Sequence, residues 1–280
     1  MKLLRYGPSG QEKPGCLHTD GTIRDLSSIV ADITPATLGA GLIDTLAGTV
    51  IDTLPVVSDP GRIGQCVGNP GKLLCIGLNY SDHAAETGAE PPGQPIMFHK
   101  ALTSLCGPND DVELPRGSEA LDWEVELAII IGKHAKYVSE ADAMDYVAGF
   151  ALFNDVSERD FQIKREGQWT KGKSHDTFGP LGPWLVTKDE IEDVHNLLLW
   201  LDVNGEKRQR GSTATLIFNV PTIVSYVSQF MSLMPGDVIP TGTPPGVGMG
   251  MRPRQYLKVG DVMTLGIEGL GEQRQTVVAA

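Results

Sequence analysis

The chain has 280 residues, enough to bury a large core, and carries 35 acidic against 23 basic residues for a formal charge of −12. It has no basic cluster, so the electrostatic footprint of a nucleic-acid binder is missing and no nucleic-acid partner is expected. Arg5 breaks the opening apolar residues too early for a signal peptide, and no run of about eighteen apolar residues could span a bilayer, so a cytoplasmic protein with no membrane partner is expected.

The 33 glycines and 19 prolines among short apolar runs predict a strand- and turn-rich α+β fold rather than a helical bundle. Cys16, Cys66, Cys75 and Cys106 contain no C-x-x-C pair, which suits reduced, partly buried thiols rather than zinc or redox chemistry. Residues 1–68 alternate short strands (2–6, 15–18, 22–25) with a weak helix over 37–47. Asp20-Gly21 marks a hairpin turn between two of the strands. This reads as a small N-terminal domain. Turn residues from Ser58 to Gly71 suggest its boundary near residue 68, after which 72–77 opens a catalytic domain over 69–280.

A short helix follows, with Asn79 or Ser81 as cap and Gly88 as stop, and it puts His83 and Glu86 on one face. A carboxylate beside an imidazole orients the ring and raises its basicity, which water activation requires, although exposed His–Glu pairs are also common helix decoration. Pro91-Pro92-Gly93 keeps this helix short and flanked by turns, a segment able to order over a ligand. Lys100 could face the acidic residues downstream, or be a surface lysine.

Asp122-Trp123-Glu124-Val125-Glu126 leads into the apolar run Leu127–Ile131, a predicted buried strand. Residues two apart on a strand share a face, so Glu124 and Glu126 point together, about 6.6 Å apart. Buried like charges must take up a proton or share a cation. Asp155, ending the next apolar strand (150–155), can supply a third oxygen, a set suited to Mg²⁺ or Mn²⁺ more than Zn²⁺. A helical reading from Asp155 onward places Arg159 four and Gln162 seven residues on, where Arg159 can clamp a substrate carboxylate and Gln162 can bond beside it; alternatively Arg159 pairs with Asp155 or Asp160. In the loop 169–180, Lys173 is the candidate for steadying an enolate charge, and His175 reads as a plain loop histidine.

Strands are predicted over 181–186, 197–203 and 259–267, and a packing helix over 223–231. The glycine-rich stretch Gly236–Gly250 lacks a following helix and a P-loop ending, so a dinucleotide site is not expected. A tight loop whose amides and Thr243 hydroxyl line a pocket for a small anion is the alternative.

Five motifs now stand in order: Asn79-Tyr80-x-Asp82-His83, Asp122-x-Glu124-x-Glu126, Asn154-Asp155-x-x-x-Arg159-Asp160-x-Gln162, Lys173-Ser174 and Thr241-Gly242-Thr243-Pro244-x-Gly246-Val247-Gly248. Over about residues 70–270 they resemble the fumarylacetoacetate hydrolase superfamily. The resemblance implies a mixed β-sandwich roll with a small N-terminal domain, usually homodimeric. It also implies Mg²⁺ or Mn²⁺ held by Glu124, Glu126 and Asp155, and a lid helix bearing the His83–Glu86 dyad. Its substrate would be a 2-oxo acid contacted by Tyr80, Arg159, Gln162 and Thr243. The N-terminal part is similar to bacterial members that hydrolyse 2,4-diketo-3-deoxy sugar acids, and a ureidoglycolate lyase reading is chemically less consistent with these residues. The activity implied is hydrolysis of a carbon–carbon bond in a 2,4-dioxo acid, releasing pyruvate. A decarboxylase, a hydratase or a tautomerase would use the same enolate chemistry, and a catalytically idle homologue would keep the fold.

Overall fold

The computed structural model describes residues 1–88 and 90–280. Two twisted sheets organise the chain. The larger has nine strands, in the order Val238–Pro240, Val125–Ile131, Val147–Asn154, Leu185–Thr187, Lys2–Tyr6, Lys13–Leu17, Ile23–Asp25 and Val56–Val57, with Ile63–Gly64 also paired to Lys2–Tyr6. The smaller has five: Glu206–Ser212, Leu198–Val203, Val262–Ile267, Gly271–Ala279 and Val112–Leu114. The expected strand-rich α+β sandwich is therefore what the chain forms. Among the described residues none of the helices is long and apolar enough to cross a membrane.

The Val125–Ile131 strand is the hinge of the packing because both its faces are buried. Val125, Leu127, Ile129 and Ile131 face the core shared with Leu199, Leu201 and Leu265 of the smaller sheet. Ala128 and Ile130 face a second core with Leu3, Leu26 and Leu38. Two apolar faces explain why this run shows no alternation of polarity, and each fully buried Leu or Ile contributes about 1.5–3 kcal/mol.

Residues 1–68 do not stand apart. Leu3 pairs with Leu185 across the antiparallel junction of Lys2–Tyr6 with Leu185–Thr187, so the N-terminal strands extend the main sheet and share its second core. The turn residues near 68 mark the chain's return toward Leu74–Gly77 rather than the edge of a separate core. The helix predicted over 37–47 divides into Pro35–Gly39 and Leu42–Ala47, because Gly41 takes φ 85° between them, a left-handed conformation that other residues resist.

All four cysteines are buried and unpaired. Burial pushes the Cys66 thiol up to about 12 and raises Cys75 and Cys106 well above the ordinary range, which suppresses the nucleophilic thiolate. Titration of the native protein with a disulfide reagent at pH 8 should therefore label almost no thiol, and all four after denaturation. Rapid labelling of a native thiol would contradict this packing.

Candidate active site

The site grows from the strand register. Glu124, one residue before the Val125–Ile131 strand, and Glu126 within it lie on the face of Ala128 and Ile130. The antiparallel partner sets Phe153 opposite Glu126, and the Asp155 amide donates to the Glu124 carbonyl at 2.9 Å. Asp155, two residues beyond Phe153, therefore emerges on the same face. Glu124, Glu126 and Asp155 are all buried, and one oxygen from each lies within 4.8 Å of the others.

Three cations surround them. Lys173 Nζ donates to Glu124 Oε2 at 2.8 Å and to Asp155 Oδ2 at 2.7 Å. Lys100 Nζ bonds Asp155 Oδ1 and donates to the Val156 carbonyl at 3.1 Å, between the rings of Phe153 and Phe178. Arg159 Nη1 lies 2.7 Å from Glu124 Oε1, and its Nε donates to Asp122 Oδ2 at 2.8 Å. Counting Asp122, four buried carboxylates meet three buried cations, so one negative charge is in excess.

That excess falls on Glu126. Burial tends to raise the Glu124 carboxyl, but Lys173 and Arg159 outweigh it and hold Glu124 well below the usual range. Burial, Asp155 and Glu124 together push Glu126 well above it, against the nearby Lys173 charge and the amide bond from Gly242 at 2.8 Å. A cation is the other way to settle such a charge. With carboxylate oxygens alone as donors, and neither thiol nor imidazole in the set, the residues fit a hard divalent ion such as Mg²⁺ or Mn²⁺.

A cavity of about 250 Å³ opens onto this cluster. His83 lines it from the helix Ser81–Thr87, with Nδ1 3.1 Å from Glu86 Oε2, and Glu86 accepts the Gly246 amide at 3.0 Å. Arg159 and Gln162 share the wall, Arg159 Nη1 donating to Gln162 Oε1 at 3.2 Å, while Arg159 Nη2 is buried with no hydrogen-bond partner among the described residues. A buried guanidinium donor left open beside a cavity is a place for an anionic ligand. Thr243 also lines the wall, but its hydroxyl already donates to the Val125 carbonyl at 2.9 Å and accepts from Gln209 at 2.8 Å.

Tyr80 differs from expectation. Its ring is fully buried behind the wall and does not line the cavity, because Tyr80 precedes the helix as its extended cap residue. Asn79 does not cap that helix either; its side chain ties Phe218 to the Thr241 carbonyl. The helical run expected from Asp155 is interrupted by the strand Ser157–Glu158, which pairs with Leu121–Asp122, so the helix starts only at Arg159. Arg159 reaches Glu124 through that strand pairing, and only Arg159 and Gln162 are related by a helical turn. The glycine-rich loop does not cradle a free anion. Its amides at Gly242, Gly246 and Gly248 donate instead to Glu126, Glu86 and Asp122, the chain's own carboxylates.

Two residues do more than the sequence reading assigns them: Lys100 is there open between facing the acidic residues and the surface, and Asp122 stands in its motif without a role. Lys100 is fully buried at the end of the Ile96–His99 strand, where a lysine closing an apolar run was the available signal. Asp122 holds Arg159 and the Gly248 and Met249 amides at once, and its period-two spacing with Glu124 and Glu126 was visible. Replacing Lys100 with Met leaves Asp155 Oδ1 without its cation while Lys173 still holds Oδ2, and should cost about 3 kcal/mol in urea unfolding with chelator present. A loss below about 1 kcal/mol would show the pair to be nearly neutral.

Residues 72–278 match the fumarylacetoacetate (FAA) hydrolase C-terminal family. A Burkholderia multivorans protein, provisionally named a hydrolase, is 56% identical over 281 residues and covers 100% of both chains. Among solved structures, fumarylacetoacetate hydrolase from psychrophilic Exiguobacterium antarcticum has a TM-score of 0.90 at 37% identity over 100% of both chains. For 2-hydroxyhepta-2,4-diene-1,7-dioate isomerase from Mycobacterium marinum the values are 0.76 and 33%, over 100% of this chain and 98% of that one. Maleylpyruvate hydrolase from Sphingobium sp. SYK-6, in complex with manganese(II) ion and pyruvate, gives 0.82 and 28% over 100% of both. On this match, together with the carboxylate cluster and dyad described above, the chain belongs to the fumarylacetoacetate hydrolase family.

Proposed function

We propose that the protein hydrolyses a carbon–carbon bond in a 2,4-dioxo acid, an acylpyruvate or a 2,4-diketo-3-deoxy sugar acid, with Mg²⁺ or Mn²⁺ as cofactor and pyruvate as one product. The observation that carries this reading is the meeting, in one cavity, of the His83–Glu86 pair with the carboxylate cluster Glu124, Glu126 and Asp155. The manganese and pyruvate bound in the Sphingobium relative support the same cofactor class and product.

Glu124, Glu126 and Asp155 would hold the ion, which when bound supplies positive charge to the 2-oxo-carboxylate end and to the electrons released there. Arg159, through its open Nη2, and Gln162 orient the substrate carboxylate. His83, oriented by Glu86, takes a proton from water as the water oxygen bonds to C4. Collapse of that adduct breaks the C3–C4 bond, giving a carboxylic acid from the C4 side and pyruvate enolate from C1–C3. Burial works against the Lys173 charge, but Asp155 and Glu124 outweigh it and keep the ammonium protonated beside this electron pair. Lys173 or a water then protonates C3 to give pyruvate.

A tautomerase, the reading favoured by likeness to the Mycobacterium marinum isomerase, would release no pyruvate. Pyruvate production from a panel of 2,4-dioxo acids and oxaloacetate, with Mg²⁺, Mn²⁺ or a chelator, separates these readings. Metal-dependent pyruvate with an equimolar acid is the expected result, whereas turnover of oxaloacetate alone would make the protein a decarboxylase. Replacing His83 with Ala should lower kcat by about 10²- to 10⁴-fold and leave metal affinity within about threefold. Loss of metal binding in that variant would sink the assigned roles.

A further inference from the structure

We infer that the substrate is a monocarboxylate whose acyl group ends in hydrocarbon, so that dicarboxylic 2,4-dioxo acids are disfavoured. This rests on the reading of the site as one for 2,4-dioxo acids. The cavity's charged groups are gathered at one end, and both buried ammonium groups there are committed, Lys173 to Glu124 and Asp155 and Lys100 to Asp155. Arg159 offers one open donor, Nη2, which serves one carboxylate. Beyond these groups and the polar His83, Gln162 and Thr243, the side chains of the wall are apolar: Ile76, Leu78, Phe98, Ile163, Trp169 and Met249. Phe98 and Trp169 meet edge to face at 5.2 Å, forming a rigid aromatic corner.

Cations on the neighbouring elements are turned to other work. Lys164 pairs with Asp160 at 2.8 Å, Lys171 donates to the Arg165 carbonyl at 3.0 Å, and Arg165 stacks on Phe161 at 3.8 Å. Arg252 donates to the carbonyls of Met249, Gly250 and Met251. None of the four lines the cavity. Among the described residues the lining offers no second open lysine or arginine, so a second carboxylate would lie against the apolar Phe98 and Trp169 and lose part of its hydration with no ion pair to offset it. The charge count agrees. Four carboxylates and three cations with one divalent ion leave a single positive charge, which one substrate carboxylate neutralises.

The test compares 2,4-dioxoheptanoate with 2,4-dioxoheptanedioate, chains of equal length ending in methyl or carboxylate. Wild-type enzyme with Mn²⁺ should favour the first by at least about tenfold in kcat/KM. Ile163 is 50% exposed, so Ile163→Arg should fold, and it should narrow the ratio by improving the dicarboxylate. Calorimetric binding of both ligands to the Mn²⁺-loaded His83→Ala variant reads the preference without turnover. Equal or tighter binding of the dicarboxylate, or its equal turnover, overturns the inference and leaves the hydrolase reading standing. Preferential binding of the methyl-ended ligand with no pyruvate from wild type does the reverse. Failure of both ligands to bind overturns both.

Discussion

One surplus negative charge, buried where two strands meet, governs this structure. Asp122, Glu124, Glu126 and Asp155 face Lys100, Lys173 and Arg159 inside the protein, and every pairing among them leaves Glu126 with an amide instead of a cation. Such a cluster is costly to assemble, since each ion loses its hydration and only close hydrogen-bonded partners offset that loss. It persists because the strands that carry it are fixed by two apolar cores, one on each face of the central sheet. The scaffold is rigid so that the charges can be kept close.

The same carboxylates also shape the loops over the site. Glu126, Glu86 and Asp122 each accept amides of the 242–249 loop, tying it to the strand edge, to the His83 helix and to the Arg159 anchor respectively. Gly246 takes φ 103°, and a Cβ there would fall 2.1 Å from the Arg208 carbonyl oxygen, so the loop needs glycine for both conformation and approach. Catalytic geometry and loop anchoring thus draw on one set of acidic groups. Asp122 is the clearest case, a residue that does not line the active-site cavity yet fixes both Arg159 and the loop.

Much of this was legible in the sequence. Period two placed Glu124 and Glu126 together, the Asn154-Asp155 strand end added the third oxygen, and the His83–Glu86 spacing survived as a hydrogen-bonded pair. What was not legible depended on contacts distant in the chain. Lys100 belongs to the core only because Asp155, 55 residues away, meets it there. The glycine-rich loop read as an anion cradle because its amides are indeed aimed at anions, but those anions are side chains more than 100 residues upstream. Residues 1–68 read as a separate domain because local turn signals cannot reveal that Leu3 pairs with Leu185. Local pattern sets the elements, and register between remote strands sets the site.

The most direct test of the surplus-charge account is calorimetric titration of chelator-stripped protein with Mn²⁺, in buffers of different ionisation enthalpy, for wild type and Glu126→Gln. The account predicts one ion per chain for wild type, with proton release as the cation displaces the proton that Glu126 holds when no cation is bound, and at least about tenfold weaker binding without that release in the variant. Unchanged affinity and proton release in Glu126→Gln, or no binding by wild type, would contradict it.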